Sequence, residues 1–213
     1  MLYDEIIAQK LTAYLLNINA IKINPVLPFT WASGWKSPIY CDNRLTLSFP
    51  EVRTFVKNNL VTCIQQKYPT VDCIAGVATA GIPHGVLVAD VLEKPFIYVR
   101  NEAKKHGLAN KIEGKINAGD KVVVVEDLIS TGMSSLQAVE SVRNAGGTVL
   151  GLTALFTYGF EVAQTAFDAA ACSFTTLTDY TSLIKYALSQ NIITADMEDI
   201  LINWRINPSA WGQ

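Results

Sequence analysis

Four valines in a row, Val122, Val123, Val124 and Val125, run straight into two acids, Glu126 and Asp127. Strand side chains alternate between faces, so an unbroken apolar run leaves no face for water. The run predicts a strand at the centre of a sheet covered on both sides. Further short apolar strands are expected at 73–78, 96–100, 148–156 and 174–177, with the valine strand itself at 121–125. Helical patterns fall between them at 81–92, 132–145 and 160–170, and two more helices fill 180–206. This alternation predicts an α/β chain with a central, mostly parallel sheet flanked by helices.

The first 45 or so residues do not alternate in this way. Ile6, Ile7, Leu11, Tyr14 and Leu15 recur at helical spacing and predict an amphipathic helix with one buried face. Segment 29–42 mixes β-formers with Gly34 and Pro38, which suggests a hairpin or two short strands. Ser48 and Glu51 have capping-box spacing with Pro50 in the first turn, so a helix should begin there and reach about Gln66. At 213 residues one domain, 1–213, is expected, with a small hood formed mainly by about 1–45.

Half of the residues are hydrophobic and 17% are charged, which supports a sizeable core and argues against disorder. A net charge of -2 gives no general attraction to nucleic acid or to an anionic membrane, so neither partner is expected. Any phosphate affinity must be local. The N-terminus has neither a basic start nor an unbroken apolar core, and no apolar run is long enough to span a bilayer. Cys41, Cys63, Cys73 and Cys172 form no CxxC pair and fit no zinc spacing. They read as reduced thiols, mostly in the core, which suits a cytoplasmic protein.

The chemistry concentrates where the valine strand ends. In open α/β sheets, ligands bind at the C-terminal ends of strands. Leu128 and Ile129 lead from the acids to Ser130, Thr131, Gly132, Met133 and Ser134, where a helix begins. Small and hydroxyl-bearing residues let backbone N–H groups converge on an anion, and the helix N-terminus adds the positive end of its dipole. The pattern reads as a phosphate cup beside two carboxylates that could meet sugar hydroxyls. The bland reading is a strand-loop-helix connection with an ordinary cap. Uncompensated acids at a buried strand end are costly, and this favours a ligand. No Gly-Lys-Ser/Thr follows, so the segment is not a P-loop, and GxGxxG is absent.

The polar stretch 101–114 carries Lys104, Lys105, His106 and Lys111. It reads either as a solvated connection or as a lid bringing cations to a site. Lys104 and His106, two residues apart, could share one side of an extended segment. His84, set among apolar residues, is expected to be structural. The C-terminal group of Trp204, Pro208 and Trp211 reads as packing or as a dimer contact.

Segment 122–135, VVVVEDLISTGMSS, resembles the signature of type I phosphoribosyltransferases, which bind phosphoribosyl pyrophosphate. Segment 29–44, FTWASGWKSPIYCDNR, is similar to the hood motif of orotate phosphoribosyltransferases, and 100–107, RNEAKKHG, to their mobile catalytic loop. The resemblance spans nearly the whole chain. It implies the type I phosphoribosyltransferase fold, Mg2+ as cofactor, and transfer of the phosphoribosyl group to orotate in pyrimidine (UMP) biosynthesis. It implies that Glu126 and Asp127 contact the ribose hydroxyls. Leu128 and Ile129 belong to the same substrate-binding segment, and Ser130, Thr131, Gly132, Met133 and Ser134 hold the 5-phosphate, with Ser130 also beside orotate. Arg100, Lys104 and His106 are implied to reach the pyrophosphate, and Lys104, His106 and Asp127 to be catalytic. Tyr40 is a candidate to stack on the pyrimidine, and 76–83 to lie under the pyrophosphate. Because the family's loop serves the neighbouring subunit, a homodimer sharing loop 100–114 is implied.

The sequence departs from that pattern at a few positions. Asn101 stands where many members carry a second loop Lys, and Ala32 where some carry a hood Lys. Tyr40 and Cys41 replace an aromatic pair, and Tyr158-Gly159 stands in the region of an Arg that some members place on orotate. Lys36 is open to either the substrate carboxylate or water. Two rival readings remain. One is a phosphoribosyltransferase acting on another base, such as a purine. The other is a non-catalytic regulator that keeps the fold as a ligand sensor and binds DNA or a partner, for which a basic face or an added DNA-binding segment is expected and this acidic chain has neither.

Overall fold

The protein is described by a computed structural model over residues 1–31, 33–100 and 111–211. Helix α1, Glu5–Asn17, begins at Asp4, whose carboxylate accepts a hydrogen bond from the Ile7 N–H. Its buried stripe is Ala8, Leu11, Thr12 and Leu15, whereas Ile6, expected on that face, is exposed. Those four keep the i, i+3, i+4, i+7 spacing, and Ile6 lies about 200° round the helix from Ala8. The buried Thr12 hydroxyl is satisfied by the Thr178 hydroxyl at 2.9 Å.

Four short strands follow: β1 (Ile21–Ile23), β2 (Phe29–Thr30), β3 (Lys36–Ser37) and β4 (Ile39–Cys41). β2 and β3 form the hairpin, with Gly34 in its connection at φ +87°. β4 turns back to pair antiparallel with β1, so segment 29–42 supplies three strands rather than two.

A 3-10 helix, Asn43–Ser48, then runs almost directly into α2, Pro50–Lys67. The expected capping box does not form. Ser48 is used up as the last residue of the 3-10 turn, Phe49 occupies the cap position without a side-chain bond, and the Glu51 carboxylate accepts from the Tyr14 hydroxyl instead.

The remainder alternates as the sequence predicts: β5 (Cys73–Val77), α3 (Gly81–Leu92), β6 (Phe96–Val99), β7 (Ile112–Glu113), β8 (Lys121–Ile129), α4 (Met133–Asn144), β9 (Thr148–Thr157), α5 (Glu161–Ala169), β10 (Phe174–Asp179), α6 (Tyr180–Ser189) and α7 (Ala195–Ile206). The sheet order is β10-β9-β8-β5-β6-β7, parallel except for β7 against β6. The valine strand is therefore central, as its apolar run requires. Val123 and Val125 enter a core shared with α1, α2 and α3, and Val122 and Val124 enter the opposite core under α4 and α5.

β8 is longer than expected. It continues four residues past Val125 and pairs with β9 as far as Ile129, so the two acids lie on the strand itself and not beyond it. From β5 the chain crosses to β6 on one side, and from β8 to β9 on the other. The strand order thus reverses between β5 and β8, the kind of crevice where open α/β sheets take ligands. Helix α3 begins hard against this point. A Cβ on Gly81 would meet the Val125 carbonyl oxygen at 2.5 Å, so only glycine lets the two backbones approach so closely.

Candidate active site

Glu126 and Asp127 are anchored by different partners. The Glu126 carboxylate is 5% exposed. It accepts from the Asp127 N–H at 3.0 Å and from the Ser135 hydroxyl at 3.4 Å. Ser135 lies in the first turn of α4, so Glu126 ties the strand to the helix that carries the hydroxyl cup. Burial, and then the negative charge of Asp127, push the Glu126 carboxyl well above its ordinary pKa. Asp127 is half-buried, and burial also raises its pKa, opposed by the hydrogen bond with Glu126 and by the positive charge of Arg44.

The cup, Ser130–Thr131–Gly132, joins β8 to α4. Gly132 is the cap residue at φ +81°, and no side chain caps the helix. The first-turn N–H groups of a helix have no partner within it, so an uncapped start leaves donors for an anion. Ile129 is fully buried and Leu128 packs against the core, so these two fix the strand end and present backbone to the cup. Met133 and Ser134 are exposed at the helix start.

Sequence reasoning passed over Asn43. Its side chain is fully buried, and its amide donates to the Asp127 carbonyl oxygen at 2.8 Å while its own oxygen accepts from the Cys41 thiol at 3.3 Å. That chain of bonds ties β4, which carries Tyr40, to the acid strand. Nothing in the sequence marks Asn43 as buried, since asparagine beside Asp42 and Arg44 reads as an ordinary polar turn. The Arg44 guanidinium grips Asp42 through two nitrogens, at 2.6 and 2.9 Å, and holds its carboxyl below the usual range. Tyr40 is 38% exposed, with its ring 5.8 Å from that of Phe29. Lys36 donates to the Thr30 hydroxyl across the hairpin.

Arg100 follows β6 directly. Its N–H donates to the Lys111 carbonyl and its Nη1 lies 3.4 Å from the Glu113 carboxylate. With the β6–β7 pairing, these bonds bring the two ends of 101–110 together. Lys104 and His106 lie outside the described residues. The turn 76–83 sits between the ends of β6 and β8, with the Ala78 N–H donating to the Val99 carbonyl and Gly81 against Val125. His84, in the first turns of α3, is buried with an unpartnered Nε2, and burial pulls its pKa down to about 4. Tyr158 is buried, its ring stacked on Phe160 at 5.4 Å. A cavity of about 520 Å³ lined by Glu5, Gln9, Asp179, Ser182 and Lys185 shares no residue with this group.

The strand-end acids, the uncapped helix start and the crevice at the strand-order reversal together define a phosphoribosyl transferase domain, and the model of that family matches residues 52–181. An orotate phosphoribosyltransferase of Cytophaga hutchinsonii is 53% identical over 197 residues, covering 92% of this chain and 94% of that protein. One from Listeria monocytogenes is 50% identical over 207 residues, 97% of this chain and 99% of that one. The crystal structure of orotate phosphoribosyltransferase from Aeropyrum pernix superposes with a TM-score of 0.75 at 27% identity, covering 86% of this chain and 99% of that one. The chain belongs to the orotate phosphoribosyltransferase family.

Proposed function

We propose that the protein transfers the 5-phosphoribosyl group of phosphoribosyl pyrophosphate to orotate, giving orotidine 5-phosphate and pyrophosphate. The observation that carries this reading is near-full-length identity of about half to proteins bearing that name, joined to a half-buried Asp127 at the strand end that leads into the uncapped start of α4. In the reaction the bond from the anomeric carbon to the pyrophosphate oxygen breaks and its electron pair leaves with pyrophosphate, while the orotate ring nitrogen gives up its proton to water and bonds to that carbon. Positive charge builds on the sugar ring as the leaving group departs.

Each residue has a part in that event. Ser130, Thr131, Gly132, Met133 and Ser134 take the 5-phosphate through backbone N–H groups and hydroxyls. Asp127 meets the ribose hydroxyls and places negative charge beside the developing cation. Glu126 meets them from its buried position while holding the strand against α4. Arg100, Lys104 and His106 would neutralise the departing pyrophosphate. Tyr40 offers an exposed ring to the pyrimidine.

Mg2+ is the expected cofactor. Among the described residues no group of three or more His, Cys, Asp or Glu converges on one point. A half-buried Asp127 at the strand end fits an ion that binds through one or two carboxylates and takes its other ligands from phosphates and water. Bound there, Mg2+ would supply neutralising charge to the leaving group.

A second copy of the chain is the expected partner. Helix α3 is apolar almost all round, and Val86 and Val91 on its outer side are 44% and 46% exposed. A helix of that kind is normally covered. A homodimer through this face, with loop 100–114 shared between subunits, suits that surface. Cytoplasmic placement fits the four free cysteines, and among the described residues no helix is long and apolar enough to cross a membrane. Supplying orotate, adenine and uracil in parallel with phosphoribosyl pyrophosphate and identifying the nucleotide by mass tests the reading. Orotidine 5-phosphate from orotate alone supports it, and a purine nucleotide would replace it with the rival base.

A further inference from the structure

A side chain of the C-terminal helix α7 packs between the hood hairpin and the segment after β9. Trp204 of α7 is fully buried, and its indole N–H donates to the Lys36 carbonyl at 3.2 Å, across 168 residues of sequence. Lys36 belongs to β3 of the hood hairpin. The Trp204 ring meets Trp31 of the same hairpin nearly edge-on, with centroids 5.7 Å apart. It also meets Tyr158 at 5.6 Å and Phe160 at 5.4 Å, both just past the end of β9.

Those two contact sets belong to opposite halves of the site. The hairpin continues through Pro38 into β4, which bears Tyr40, and the Trp31 indole N–H donates to the Ile39 carbonyl at the start of β4. On the other side, the Tyr158 N–H donates to the Ile129 carbonyl, one residue before Ser130 of the cup. Edge-to-face aromatic contacts fix ring orientation as well as distance, and a buried indole N–H left without its acceptor is penalised. The hairpin's own ladder is only two residues per strand, too short to hold a position by itself.

We propose that Trp204 is a positioning residue for the acceptor half of the site. It sets the height of the hood hairpin, and through it Tyr40, over the ends of β8 and β9. This rests on the transferase reading above. The phosphate half centres on the start of α4, whose buried residues pack with Val122, Val124 and Ile129 of β8 in the core opposite that of Trp204. The substitution of one side chain in α7 should therefore separate the two substrates kinetically.

The test uses the full chain with Trp204→Phe, which keeps a ring and loses the N–H donor, and Trp204→Leu, which loses both. Amide hydrogen exchange reads positioning without any assumption about substrate. Peptides spanning 33–41 should exchange about fivefold faster in Trp204→Phe, the factor expected for one net hydrogen bond, while 121–135 is unchanged. Steady-state kinetics should show the orotate KM rising about fivefold in Trp204→Phe and further in Trp204→Leu, with the phosphoribosyl pyrophosphate KM within twofold of wild type. Unchanged exchange at 33–41, or acceleration spread equally over the chain, would overturn the proposal. So would a parallel rise in both KM values. Wild-type protein that ignores orotate would defeat the transferase reading alone, and the exchange result would still decide the role of Trp204.

Discussion

The side-chain amide of Asn43 donates to the backbone carbonyl of Asp127 over 2.8 Å, joining residues 84 apart in sequence. The bond locks the strand end that carries the acid to the segment that carries Tyr40. Removing it in Asn43→Ala takes a donor from a part-buried carbonyl and leaves the Cys41 thiol without its acceptor. The variant should lose about 1–3 kcal/mol in urea unfolding. Its turnover should fall roughly tenfold, equivalent to about 1.4 kcal/mol of barrier, because the acid loses its fixed orientation. Full activity in a destabilised variant would show that the bond serves the fold alone.

Asp127→Asn keeps the shape of the side chain and removes its charge. With the negative charge gone from beside the cationic sugar, turnover should fall by about 10²–10³, while the urea midpoint stays near wild type. Steady-state rates beside equilibrium unfolding check this, and an active Asp127→Asn protein would remove the acid from the mechanism.

Glu126 makes a prediction of opposite kind. Its folded pKa is raised above the ordinary 4.5, so the folded state holds more protons than the unfolded state above that pH. Stability contributed by this group is therefore greatest at low pH and declines as pH rises from about 4.5 toward the raised value. Glu126→Gln keeps acceptor capacity for the Asp127 N–H and lacks this decline. The stability difference, variant minus wild type, should grow as pH rises above about 4.5. A difference that is flat with pH would mean that Glu126 titrates normally.

His84 slopes the other way. Burial lowers its pKa from 6.5 to about 4, so between those values the unfolded chain takes up a proton that the folded chain refuses. Stability is lost as pH falls through this window, by on the order of 3 kcal/mol in full. His84→Leu should flatten that acid limb when urea midpoints are compared at about pH 7 and about pH 4.5. An acid limb as steep as that of wild type would place the loss in other groups.

Much of the fold was readable because the signals are local. Val122, Val123, Val124 and Val125 need cover on both faces wherever they sit, and the structure divides them between two cores. The strand's true end was not readable, because Glu126 and Asp127 look like the start of a loop until β9 is seen pairing with them as far as Ile129. β1 and β7, of three and two residues, exist only through their partners and carry no pattern of their own. The Ser48–Glu51 spacing misled for a similar reason: the 3-10 turn consumed Ser48 and Tyr14 claimed Glu51. In the site, the acid pair and the cup were legible as residue types in order. Asn43 and Trp204 were not, because their roles are bonds to carbonyls 84 and 168 residues away.

Lys104→Ala and His106→Ala address the loop. If these side chains neutralise the departing pyrophosphate, each variant should lose about 10²–10³ in turnover with no change in the urea midpoint, as removal of a transition-state donor does. Full activity in both would take the loop out of catalysis and leave it a connection between β6 and β7.

The most direct measurement is the ultraviolet absorbance of orotate followed continuously with wild-type protein, phosphoribosyl pyrophosphate and Mg2+. The account predicts loss of orotate absorbance only when both substrates are present, with release of one pyrophosphate per orotate consumed. Folded protein that leaves orotate untouched under those conditions would contradict it.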